Sequence, residues 1–81
     1  MYPQVLENVK VKDKAAAQAD EAVQAAVQRV ADALGATGRI LVRESGTEPL
    51  IRVMVEAESD EVCRKYVDEV MNTIKDRGFA V

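Results

Sequence analysis

The segment RESGTEP, residues 43–49, carries the residue types that bind anions, and it lies between two runs of branched apolar residues. Arg43 offers a planar fork of hydrogen-bond donors that matches the oxygens of a phosphate group. Ser45 and Thr47 add hydroxyl donors. Gly46 permits backbone angles that other residues resist, and it lets amides converge closely on an anion. These residue types could therefore form a cradle for a phosphate dianion.

The same residues also suit an ordinary hairpin turn, because serine, glycine, threonine and proline are frequent turn formers. Glu44 and Glu48 would repel a phosphate unless their side chains point away from it. Arg52 is a second candidate ligand, and the alternative for it is an ion pair with one of these glutamates. From residue chemistry alone, both the anion site and the plain turn stay open.

Other kinds of site find little support in the sequence. There is no histidine, so Ser45 has no evident base to activate it as a nucleophile. The carboxylates do not follow calcium-loop spacing. Cys63 is the only cysteine, which excludes an internal disulfide, and we expect it to pack as a small apolar residue in a helix. No catalytic residue and no metal ligand is assigned to this chain.

Length and charge restrict the class of protein. The 81 residues suffice for one small domain, and a composition of 48% hydrophobic and 31% charged residues is typical of a folded one. The net charge of -3 argues against a nucleic-acid partner. No apolar run approaches the roughly 20 residues that span a bilayer, so no membrane partner is predicted. The lone cysteine fits a reducing compartment, and we expect a cytoplasmic location.

The spacing of apolar residues predicts the elements that position the segment. Strands are predicted over residues 5–11, 39–43 and 50–58, and helices over residues 15–33 and from Ser59 to about residue 77. Gly35 and Gly78 supply the helix stops. Residues 79–81 can add a short fourth strand.

The order strand, helix, strand, strand, helix predicts an α+β plait, with an antiparallel-rich sheet of three to four strands and two helices packed on one face. The two middle strands are joined only by the RESGTEP loop, so they should form an antiparallel hairpin. Within the strand over 50–58, one face is predicted to carry Ile51, Val53, Val55 and Ala57, and the other Leu50, Arg52, Met54, Glu56 and Glu58.

The longer stretch GRILVRESGTEPLIRVMVE closely resembles the C-terminal domain signature of the α-D-phosphohexomutases, and within that superfamily the phosphoglucosamine mutase family. The lead-in YPQVLENVKV is similar to the start of that domain. Phosphomannomutases and phosphoglucomutases tend to have asparagine where this chain has Gly46. The resemblance covers essentially the whole chain but only the last domain of a longer enzyme. Residues 1–81 are therefore predicted to be the C-terminal phosphate-binding domain of a larger phosphohexomutase.

The resemblance implies that the full enzyme interconverts glucosamine 6-phosphate and glucosamine 1-phosphate, in the synthesis of cell-wall precursors. It further implies a phosphoserine and a magnesium ion held by other domains, so this chain has no cofactor and is inactive alone. The duty implied for this domain is to hold the phosphate that is not transferred, through Arg43, Ser45, Gly46 and Thr47. Arg52 has no firm role in the family. The implied partners are the glucosamine phosphates and the remaining domains of the enzyme.

Two alternatives stay open. The chain could be the same domain of a phosphomannomutase or phosphoglucomutase, since the loop contacts phosphate and not the sugar. It could also be a stand-alone plait that binds a partner protein, with SGTEP serving only as a turn. A small phosphatase of similar topology is a weaker alternative.

Overall fold

The apolar segments of the chain form a three-stranded sheet in the computed structural model, which describes residues 2–81. The strands are β1 (Gln4–Lys10), β2 (Arg39–Glu44) and β3 (Leu50–Glu56). Their order is β1-β3-β2, and both pairings are antiparallel. The central strand, β3, is the most apolar of the three, as expected for the strand that has a neighbour on each side.

Three helices accompany the sheet: α1 (Lys14–Ala19), α2 (Glu21–Leu34) and α3 (Asp60–Asp76), with a 3₁₀ turn over Gly35–Thr37. The predicted α+β class and the predicted hairpin are confirmed. Ser59 caps α3 as expected, because its side chain accepts a hydrogen bond from the Val62 amide.

The prediction of one helix across residues 15–33 is wrong, because Asp20 divides it into α1 and α2. Asp20 has an extended backbone, and its carboxylate accepts hydrogen bonds from the amides of Ala22 and Val23. An aspartate in this position satisfies donors that a helix start leaves free, so a new helix begins there. The same carboxylate lies 3.2 Å from Nε of Arg77, just beyond α3.

The predicted fourth strand is reduced to a single antiparallel bridge between Val11 and Ala80. The Lys12 amide donates to the Phe79 carbonyl, and the Val81 amide donates to the Lys10 carbonyl. These bonds occupy part of the outer edge of β1, where unpaired backbone groups would otherwise meet solvent.

The core lies between the sheet and the helices. Alternate residues of β3 point into it, and Ile51, Val53 and Val55 are at most 1% exposed. The helices contribute buried residues at helical spacing, which are Ala17, Val23, Ala26, Val30, Leu34, Cys63, Val67, Val70 and Ile74. The predicted apolar role of Cys63 is thereby confirmed. Arg52 is exposed and Met54 half-buried on the other face of β3, as the alternation predicts, whereas Leu50 is buried at the loop end.

Gly38 allows the chain to enter β2 beside the end of β3. A Cβ atom at Gly38 would overlap the carbonyl oxygen of Glu56 and lie 3.2 Å from Cα of Ala57. Both obstacles are backbone atoms, which cannot rotate away as a side chain can. The constraint at Gly38 is therefore one of space, since its φ of -178 is ordinary extended backbone.

We expect Gly38→Ala to lower the free energy of unfolding by about 1–3 kcal/mol, the usual effect of forcing an extra methyl group into occupied space. Urea unfolding monitored by circular dichroism measures the change. Gly46→Ala is the matched control, because a Cβ at Gly46 would meet no atom within 4 Å. Equal stability of the two variants would contradict the close approach at Gly38.

The ion pair between Asp20 and Arg77 should make the free energy of unfolding depend on pH in the acid range. The hydrogen bond from Arg77 is the main cause that lowers the pKa of Asp20 below its ordinary value of 3.8. A carboxyl whose folded-state pKa is lowered stabilises the fold above its unfolded-state pKa, and this contribution is lost as the pH falls through the folded-state pKa.

We therefore expect Asp20→Asn to be less stable than the parent chain at neutral pH, with a difference that narrows as the pH falls below about 4. Asparagine still caps a helix, so the substitution removes the charge and keeps the cap. Asp13→Asn is the control, because Asp13 caps α1 and has no ion-pair partner within residues 2–81. Urea midpoints measured from pH 7 down to acid test this, and a gap of constant size would contradict it.

Candidate functional site

The loop between β2 and β3 is held by its own short hydrogen bonds. The Ser45 amide donates to the Leu50 carbonyl at 3.0 Å, and the Leu50 amide donates to the Glu48 carbonyl at 2.8 Å. The hydroxyl oxygen of buried Ser45 accepts from the Glu48 amide at 3.3 Å. Ser45 thus has a structural part in the turn, while its hydroxyl hydrogen is left to donate elsewhere.

The loop leaves the amides of Gly46 and Thr47 free. Within residues 2–81 neither N–H group has a hydrogen-bond acceptor, and both residues are exposed. Gly46 does not have a positive φ. The prediction that the loop uses backbone angles which other residues resist is therefore wrong at this position. Neither its backbone angles nor its surroundings in this chain require glycine at this position.

Arg43 and Arg52 lie directly opposite each other on β2 and β3. They share the sheet face that the helices do not cover, and both side chains are exposed. Neither forms a salt bridge with any of residues 2–81, so the ion pair with Glu44 or Glu48 that was the alternative for Arg52 does not form. Like charges directly across a strand pair repel each other. A bound anion would relieve this repulsion.

Glu44 lies one residue beyond Arg43 on the same strand, so its side chain leaves the opposite face of the sheet. Its register partner is Ile51, whose side chain is buried on the helix-covered face. The strand alternation therefore separates the Glu44 carboxylate from the two guanidinium groups.

An open groove of about 240 Å³ runs along the uncovered face of the sheet, lined by Leu6, Leu41, Arg43, Arg52 and Met54. The register places Leu6, Met54 and Leu41 side by side in the row next to the arginine pair. The groove is thus apolar at one end and cationic at the other. Ser45, Gly46 and Thr47 do not line it; they follow Arg43 in the loop.

Lys14, which sequence reasoning missed, contacts the loop from the first residue of α1. Its Nζ donates to the Ser45 carbonyl at 2.6 Å and to the Glu48 carbonyl at 3.3 Å. The first contact joins residues 31 positions apart. No local pattern in one sequence reports a contact at that separation, so the role of Lys14 could not be predicted.

Residues 2–81 offer few other kinds of site. Over this range no group of three or more His, Cys, Asp or Glu residues could hold a metal ion. Among the helices of the same range, none combines the length and the hydrophobicity of a membrane span. Cys63 is buried, and its thiol donates to the Pro3 carbonyl at 3.3 Å.

Comparison with known proteins finds a matching domain family and similar mutase sequences. Residues 6–73 match the family model described as "Phosphoglucomutase/phosphomannomutase, C-terminal domain". The chain is 64% identical over its full length to the phosphoglucosamine mutase of Lachnospira eligens, of which it covers 18%. It is 57% identical over 94% of its length to the phosphoglucosamine mutase of Mycobacterium marinum, of which it covers 17%.

Solved structures agree on the fold. A variant of Aspergillus fumigatus N-acetylphosphoglucosamine mutase in complex with glucose 1,6-bisphosphate aligns with a TM-score of 0.80 and 25% identity, over 98% of this chain and 16% of that one. The same fungal enzyme in complex with GlcNAc-6P and magnesium aligns with a TM-score of 0.76 and 27% identity, over 95% and 16% of the two chains.

The chain spans less than a fifth of the length of these relatives. The family match covers most of the chain, and the same relatives recur in sequence and in structure. The chain therefore belongs to the family of phosphoglucomutase/phosphomannomutase C-terminal domains.

Proposed function

We propose that this chain is the substrate-phosphate-binding C-terminal domain of a phosphoglucosamine mutase that interconverts glucosamine 6-phosphate and glucosamine 1-phosphate. The observation that carries the proposal is that Arg43 and Arg52 face each other beside a loop with two free amides, and that within residues 2–81 neither guanidinium has a carboxylate partner and neither amide has an acceptor. The names of the relatives support the choice of substrate.

A phosphate dianion fits these groups in charge and in geometry. Two guanidinium groups balance two negative charges, and each can form paired hydrogen bonds with phosphate oxygens. The amides of Gly46 and Thr47 and the hydroxyls of Ser45 and Thr47 add donors from the loop. Arg43, Ser45, Gly46 and Thr47 are the proposed ligands, and Arg52 joins them as the neighbour of Arg43.

The domain's part in the reaction is to position the substrate. By holding one phosphate, it positions the other end of the sugar next to the group that reacts with it. The entropic cost of bringing the reacting groups together is then met by binding and not by the chemical step. We assign no catalytic residue to this chain. The remaining domains of the enzyme are its proposed partners, and closure of this domain over them would complete the site.

Magnesium belongs to the proposal only through the whole enzyme. One solved relative is described in complex with magnesium. Residues 2–81 provide no cluster of ligands for the ion, so we place it on another domain. There it would supply positive charge to the phosphoryl group being transferred. A cytoplasmic location stays a prediction.

A phosphomannomutase or phosphoglucomutase is the second candidate, because the description of the family model names both activities. The proposed ligands contact phosphate and not the sugar ring, so they serve all of these substrates equally. Assays of the full-length enzyme on glucosamine, mannose and glucose phosphates decide between them. Preference for mannose or glucose phosphates would overturn the proposed substrate and leave the phosphate site intact.

We expect the 81-residue chain to bind glucosamine 6-phosphate with a dissociation constant of roughly a millimolar, since a few donors without the closing domains give modest affinity. Amide shifts in a titration followed by ¹H–¹⁵N NMR should centre on residues 43–47 and on Arg52. Glucosamine without phosphate is the control and should leave these shifts unchanged. No response up to about 20 mM ligand would contradict a phosphate site in this chain.

We expect Arg43→Ala and Arg52→Ala each to weaken this binding about tenfold, because each removes charge-assisted hydrogen bonds to the phosphate. Arg39→Ala is the matched control: Arg39 lies on the same strand and face as Arg43, but it pairs with Glu56 at 3.3 Å. The dissociation constants come from the same NMR titration. If Arg39→Ala weakens binding as much as the other two, the effect is one of general charge and the site is wrong.

A further inference from the structure

We infer that Lys14 is a positioning residue that fixes the peptide between Ser45 and Gly46 so that the Gly46 amide is directed outward, toward a bound phosphate. The consequence for binding rests on the proposed function. The orientation of the peptide is a property of the chain without ligand, so the two can be tested separately.

Lys14 contacts the loop through two backbone carbonyl groups. Its ammonium group donates to the Ser45 and Glu48 carbonyls, at 2.6 Å and 3.3 Å. The residue is half-buried, and its charge has no carboxylate partner within residues 2–81. A charged donor forms stronger hydrogen bonds to carbonyl oxygens than a neutral one, so Lys14 holds these two carbonyl groups more strongly than a neutral side chain would.

Because the peptide bond is planar, a contact that fixes the Ser45 carbonyl also fixes the direction of the Gly46 N–H. The carbonyl of Ser45 and the N–H of Gly46 belong to one planar peptide unit, and residues 2–81 contain no cis peptide bond. In a trans peptide the carbonyl and the N–H point in opposite directions. Because Lys14 draws the Ser45 oxygen toward α1, the Gly46 N–H must point away from α1.

This peptide is one of two, both adjoining Gly46, whose N–H groups no hydrogen bond within the loop fixes. Gly46 has no Cβ, so rotation of the adjoining peptide meets little steric resistance. The amides of Ser45, Glu48 and Leu50 are already fixed by hydrogen bonds within the loop. The Gly46 amide has no acceptor within residues 2–81, so the Lys14 contact is the hydrogen bond that sets its peptide plane.

The helix that carries Lys14 is itself well anchored. Asp13 caps α1 by accepting from the Ala16 amide, and Ala17 is 1% exposed in the core. Gln18 donates from Nε2 to the Val42 carbonyl at 3.0 Å, which ties the same helix to β2 just before the loop. Lys14 therefore reaches the loop from a base that is fixed against the strand leading into it.

The test compares Lys14→Met, which keeps the apolar stem, with Lys14→Arg, which restores a charged donor. Lys12→Met is the matched control for loss of charge, because Lys12 is exposed and its side chain forms no hydrogen bond or ion pair within residues 2–81. Two readouts apply to each chain: the residual dipolar coupling of the Gly46 N–H bond without ligand, which reports its direction, and the dissociation constant for inorganic phosphate.

We expect Lys14→Met to change the Gly46 coupling and to weaken phosphate binding about tenfold, through lost amide orientation and lost charge. Lys14→Arg should restore both values toward those of the parent. Lys12→Met should leave the coupling unchanged and weaken binding by no more than about twofold, since solvent and salt screen an exposed charge. Couplings elsewhere in the chain confirm that the fold is kept. If Lys14→Met does not fold, Lys14→Gln, which keeps one donor group, takes its place.

An unchanged Gly46 coupling in the variant lacking the ammonium group overturns the inference. A changed coupling with unchanged phosphate affinity overturns its consequence for binding. Failure of the parent chain to bind phosphate at the loop counts against the proposed function instead, and the coupling measurement then still decides the orientation.

Discussion

The register between β2 and β3 is the constraint on which both the core and the site depend. Side chains alternate along each strand, so a slip of one residue would exchange the buried and the exposed face. Packing of Ile40 and Val42 of β2 against the core, beside the buried residues of β3, excludes that slip. The same register sets Arg43 opposite Arg52. Apolar burial on one face thus holds two like charges together on the other, against their mutual repulsion.

The local charge at the hairpin differs from that of the whole chain. The net charge is -3, yet the uncovered face presents two arginines without carboxylate partners in residues 2–81. Other cations are paired elsewhere: Arg64 with Glu7 and Asp68, and Arg77 with Asp20. Because charges more than about 10 Å apart are screened in salt, an anion at the hairpin meets the local arginines rather than the average.

Much of this could be predicted from the sequence, because strand alternation and helix spacing are local signals. The alternating faces of β3 and the placement of Arg52 opposite the core follow from the strand period of two residues, and the cap at Ser59 follows from its residue type at the helix start. The break at Asp20 could not be predicted in this way, since alanine continues at helical spacing on both sides of it. The contact of Lys14 with the loop depends on how α1 folds back, which no local period encodes.

The row of Leu6, Met54 and Leu41 has a consequence for the behaviour of the chain in solution. An apolar sheet face that is exposed to water favours association with a second copy of the chain. Leu6 in this row is 56% exposed. Arg43 and Arg52 border this row and carry positive charge to any second copy that approaches it. Charged residues beside an apolar surface oppose self-association, so the two proposed phosphate ligands are also expected to keep the chain in solution.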